Sequence, residues 1–150
     1  MHTMRATTSF ILLTAALLTS CSCSRSDDGA SAASNASTFA VTFQPSGQYA
    51  IGKEGAALVR LTPQGGYKVN TEYPIRFDCQ SPPSDGITYP KPTLQQTDAK
   101  VDESEATFSV PFVPTKAGKQ RVEGLLSFSV CNDQRCVMDK QKVTLDVTVP

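Results

Sequence analysis

Tryptophan is absent from this chain of 150 residues, and histidine occurs once, at His2. With no histidine beyond that point, Ser-His-Asp and Cys-His relays and histidine-ligated zinc sites are excluded from the rest of the chain. An excess of one charge is also lacking. The 14 basic and 14 acidic residues cancel and are interspersed. That pattern describes a solvated surface, not the clustered basic face that nucleic acid requires. After residue 38 no stretch carries the 3.6-residue apolar period of an amphipathic helix, and no internal repeat is visible. The length accommodates one modest core.

What is present begins with a leader. Met1 to Arg5 is short and basic, and Phe10 to Leu18 is apolar. A core of about 10–12 apolar residues is too short for a permanent bilayer span but suits a signal peptide. Leu18-Thr19-Ser20-Cys21 resembles the bacterial lipobox: an aliphatic residue, two small residues, then cysteine. The resemblance implies a leader over residues 1–20, cleavage before Cys21, and acylation of Cys21. Cys23 lacks the aliphatic residue three positions back. More than one acyl chain would hold the protein stably on a membrane. Ser22 in place of aspartate resembles the outer-membrane sorting of enteric lipoproteins, so the expected location is the envelope, facing the periplasm. Ser22 to Thr38 is dominated by small polar residues and reads as a flexible tether, because it has too little apolar surface to offset ordering. The expected organisation is therefore 1–20 signal peptide, 21–38 lipidated cysteine and tether, and 39–150 a folded domain.

In the domain the apolar period is two. Phe39, Val41 and Phe43 alternate with smaller or polar residues, as do Ala57, Val59 and Leu61; Ile75, Phe77 and Cys79; and Phe108, Val110 and Phe112. Val122, Leu126, Phe128 and Val130 form another set, and Val143, Leu145, Val147 and Val149 the last. Such alternation marks strands with one buried face. Turn residues separate them, as at Pro63 to Gly66 and Ser81 to Gly86. About seven short strands in a domain of this size predict an all-β, immunoglobulin-like two-sheet sandwich. A small barrel is the alternative.

Five cysteines in an exported chain meet oxidising surroundings. Cys79 shares the parity of Ile75 and Phe77, which makes it a buried thiol unless it pairs with Cys23. Cys131 and Cys136 flank the polar segment Asn132 to Arg135, which suits a type I turn. Residues so spaced oppose each other across a hairpin, within disulfide reach. The parities of Val130 and Val143 both turn the pair away from the core. Such a bridge serves either thiol exchange or simple fastening of the hairpin. Arg135 favours a thiolate and Asp133 opposes it. Zinc would need a fourth ligand beyond Cys79, Cys131 and Cys136, so no metal or other cofactor is expected.

Two segments, Leu61 to Asn70 and Phe128 to Cys136, resemble the amino-terminal periplasmic domain of the thiol:disulfide interchange protein DsbD and its relatives. The resemblance implies an immunoglobulin-like sandwich. It implies that Cys131 and Cys136 are the catalytic pair, taking electrons from a membrane partner and passing them to periplasmic thiol/disulfide proteins. It also implies an aromatic cap over the disulfide, for which Tyr89 is the candidate. One family member has one more residue between its cysteines. The transmembrane carrier and thioredoxin-like domain that usually accompany the module are not in these residues. The alternative expectation is a non-enzymatic envelope lipoprotein that binds a protein or polymer, with Cys131–Cys136 structural.

Overall fold

A computed structural model describes residues 38–150. The expected leader, Cys21, Cys23 and the tether up to residue 37 lie outside the described residues. Strands run in the order β1 (Phe39–Pro45), β2 (Gly55–Pro63), β3 (Lys68–Val69), β4 (Arg76–Cys79), β5 (Ile87–Thr88), β6 (Thr93–Leu94), β7 (Ala99–Val101), β8 (Ala106–Pro114), β9 (Gly118–Cys131) and β10 (Cys136–Val149). A single turn of 3-10 helix, Gln96–Asp98, precedes β7. No helix among the described residues is long and apolar enough to cross a membrane.

The strands form two antiparallel sheets packed face to face. One has the order β1-β2-β8-β5, with β7 also on β8; the other has the order β10-β9-β4-β6, with β3 also on β9. The domain is thus an all-β, immunoglobulin-like sandwich. It contains ten strand segments where about seven were expected. Six of them carry the alternation read from the sequence, and the others are β3, β5, β6 and β7, each of two or three residues. Segments this short, lying among Pro- and Gly-rich turns, are too brief for alternation to reveal them.

The inward residues follow the period-two reading. Val59, Leu61, Phe77, Phe108, Val110, Leu126, Phe128 and Val130 are all fully buried between the sheets. A second cluster of Ala57, Phe112, Val122, Val147 and Val149 fills the opposite end under Tyr49. Each large side chain buried this way contributes about 1.5–3 kcal/mol. One departure concerns Ser127 and Ser129. They face outward by parity, yet they are only 5% and 1% exposed. They sit on β9 in the middle of its sheet, with Arg76 and Lys140 flanking Ser127 in register and Met138 opposite Ser129. Ser127 thus lies between two long side chains, one from each neighbouring strand.

At Gly124 the strands of one sheet pack closely around the Phe77 ring. This glycine lies opposite Cys79 in the ladder, and a Cβ there would overlap the Phe77 ring and stand 2.8 Å from the Asp78 carbonyl oxygen. Overpacking of this kind costs about 1–3 kcal/mol. Gly124→Ala should therefore lower the urea midpoint by that equivalent. Gly47→Ala, where a Cβ meets nothing within 4 Å, should leave the midpoint nearly unchanged. Equal midpoints for the two variants would contradict the packing described.

Candidate functional site

Strands β9 and β10 pair without interruption from Gly118 opposite Val149 to Cys131 opposite Cys136. No bulge shifts the parity along either strand. At the end of this ladder the chain reverses more tightly than a four-residue loop. The Asn132 N–H donates to the Arg135 carbonyl at 2.9 Å, which leaves only Asp133 and Gln134 at the tip. The Asn132 side chain sets the turn: its Oδ1 accepts from the backbone N–H of Gln134 at 3.0 Å and of Arg135 at 2.9 Å. This is the local capture of turn amides for which asparagine is suited. Because the 132/135 pair carries the ladder bond, the next pair falls at a narrow position. There Cys131 and Cys136 approach to 4.0 Å between Cα atoms and are joined by a disulfide.

The two cysteines are not equivalent. Cys136 starts an edge strand and is exposed, whereas Cys131 is half-buried. The difference follows from topology. Cys131 is flanked on its other side by Lys68 of β3, its register partner. The Ser129 hydroxyl lies 3.9 Å from the Cys131 sulfur. Two residues beyond Cys136, on the same face, Met138 is 70% exposed. An open groove of about 300 Å³ borders Cys131 and is lined by Lys68, Asn70, Glu72, Glu103 and Asn132, among others.

The charged neighbours are already engaged. Arg135 donates from Nε to the Tyr67 hydroxyl at 2.7 Å, and its guanidinium carbon lies 6.0 Å from the centre of that ring. By strand alternation this contact is on the face opposite the sulfurs. Lys68 holds Glu103 at 2.7 Å. The hydrogen bond to that carboxylate and its charge push the Lys68 ammonium pKa upward.

Tyr89 does not stand over the disulfide. Its hydroxyl accepts from the Glu123 N–H at 2.9 Å and donates to the Glu123 carbonyl at 3.2 Å. Glu123 lies eight residues before Cys131, about 26 Å away at 3.3 Å per residue. Tyr89 instead pins the Ser81 to Pro92 loop to the middle of β9, and burial raises its phenol pKa. The aromatic residue nearest the hairpin turn is Tyr67. The signal for it in the sequence was its place just before Lys68, on the segment that pairs with Cys131.

Cys79 is a buried free thiol, as its parity predicted. It points into the core opposite Gly124, seven residues along β9 from Cys131, so Cys79 does not converge with Cys131 and Cys136. Burial, followed by the nearby Asp78 charge, pushes its pKa up to about 11.

Compared with family models and with curated proteins, the chain matches none. Among solved structures, a cohesin module from a family 33 glycoside hydrolase of Clostridium perfringens overlays with a TM-score of 0.41 at 13% identity, covering 75% of this chain and 97% of that one. AggA, the major subunit of aggregative adherence fimbriae type I from Escherichia coli, gives 0.38 at 12% identity, covering 75% and 95%. Likenesses this distant say nothing about the work of this chain.

The two thiol environments predict distinct labelling. In the native, unreduced protein near pH 8, an alkylating reagent should leave Cys79, Cys131 and Cys136 unmodified, as mapped by peptide mass. Denaturation without reductant should expose Cys79 alone of these three. Rapid native labelling of Cys79 would contradict its burial.

Proposed function

We propose that this chain is a membrane-anchored envelope protein, lipidated at Cys21, whose sandwich performs thiol–disulfide exchange through Cys131 and Cys136. The observation that carries the reading is the exposed Cys136 at the end of an already secure hairpin. Closing a ring of six residues adds only about 2 kcal/mol on the loop-entropy estimate. Strands β9 and β10 are held by a ladder of 14 residues each, so fastening the turn adds little to them. The lipobox-like leader and the resemblance to the DsbD amino-terminal domain belong to the same reading.

The exposed Cys136 sets the order of steps. A partner thiolate attacks the Cys136 sulfur, a mixed disulfide forms, and Cys131 leaves as a thiolate that takes a proton from solvent. A second thiolate of the partner then attacks its own sulfur in the mixed disulfide. The partner leaves oxidised and the module holds two thiols, so two electrons have moved. Run in reverse, the reduced module reduces a partner disulfide.

A second reading keeps the bridge as a fastening and gives the domain a non-enzymatic binding role. It is favoured by the engagement of Arg135 with Tyr67 and of Lys68 with Glu103, which leaves neither cation committed to a thiolate. Two measurements separate the readings. Under exchange, Cys131→Ser should accumulate a reductant-sensitive adduct through Cys136, and the disulfide should have a potential above about −300 mV. Absence of adducts in both single variants, with a potential below that value, would establish the fastening. The double variant Cys131→Ser/Cys136→Ser should still fold, losing about 2 kcal/mol in urea unfolding. Its full biological activity would argue against exchange.

A further inference from the structure

The first described residue leaves the sandwich at the hairpin end. The Thr38 carbonyl accepts from the Gln64 N–H at 2.8 Å, in the connection that leads from β2 to Lys68, the register partner of Cys131. Phe39 then packs edge-on against Phe128, with ring centres 4.8 Å apart. Phe128 is three residues from Cys131, about 10 Å along the strand. The other end of the domain is distant. There the loop carrying Gln48 lies against Val147 and Pro150, and Val147 is eleven residues, about 36 Å, from Cys136.

Between Cys21 and Thr38 lie sixteen residues; a random coil of that length spans roughly 20–25 Å, less than the distance between the two ends of the domain. A lipid on Cys21 therefore holds the domain by the same end that carries the disulfide. We infer that the hairpin end is the membrane-proximal end of the domain, and that Cys131–Cys136 is presented to proteins embedded in or anchored to the same membrane. The opposite end, with Gln48 and the last residue Pro150, points away from the lipid. This rests on the anchoring reading above and not on the redox one. A binding surface at the hairpin would be displayed in the same direction.

The absence of tryptophan makes a clean test. Single donors are placed at two exposed sites, Gln134→Trp at the hairpin tip and Gln48→Trp at the far end, in the full lipidated chain. The chains are bound to vesicles that carry a headgroup-dansylated lipid, and energy transfer from tryptophan is measured. Transfer from position 134 should exceed that from position 48 several-fold. Vesicle flotation of the same chains, compared with Cys21→Ala, reports anchoring separately. A chain that floats through Cys21 yet transfers equally from both positions, or more from 48, overturns the inference alone. A chain that does not float overturns the anchoring reading and the inference with it.

Discussion

The pairing of β9 with β10 is the constraint on which the rest depends. The two strands share an unbroken register over 14 residues each. That ladder contributes Leu126, Phe128 and Val130 to the larger core cluster, and Val122, Val147 and Val149 to the smaller one. It also fixes, by the period of two, which side chains leave the core. Had a single bulge intervened between Val143 and Cys136, Cys136 would have fallen on the core face while Cys131 stayed on the solvent face, and the two would no longer oppose each other. The position of the two sulfurs is therefore a property of the whole ladder rather than of the turn.

The asymmetry between the two cysteines has the same origin. β10 is the edge of its sheet and β9 is internal, so Cys136 is exposed while Cys131 is bordered by β3. Within one covalent bond the fold joins an exposed residue and a half-buried one. Exchange needs that difference, because a partner must reach one sulfur while the other leaves. The surroundings do not add a positive charge dedicated to the leaving sulfur. Lys68, the register partner of Cys131, is shared with Glu103.

Much of this was legible in the sequence because alternation is a strong signal over long strands. The parity of Val122 to Val130 and that of Val143 to Val149 each placed the cysteines outside, and Ile75 and Phe77 placed Cys79 inside. What escaped reading depends on neighbours that are remote along the chain. Tyr89 is bound to Glu123, 34 residues away, and nothing in either local segment marks that contact. Ser127 lies between long side chains from adjacent strands, which period-two reasoning does not include. The Ser127 hydroxyl is left without a hydrogen-bond partner. The turn at Asn132 proved tighter than its length indicated, because the asparagine side chain captured two backbone amides.

The central claim is that Cys131 and Cys136 cycle between thiols and disulfide while the sandwich stays folded. Differential thiol alkylation of the intact chain in living cells tests this most directly. The account predicts a mixture of reduced and oxidised pairs whose ratio shifts promptly with the redox state of the envelope, while Cys79 remains a free thiol throughout. A pair that stays fully oxidised under every condition compatible with growth would contradict it.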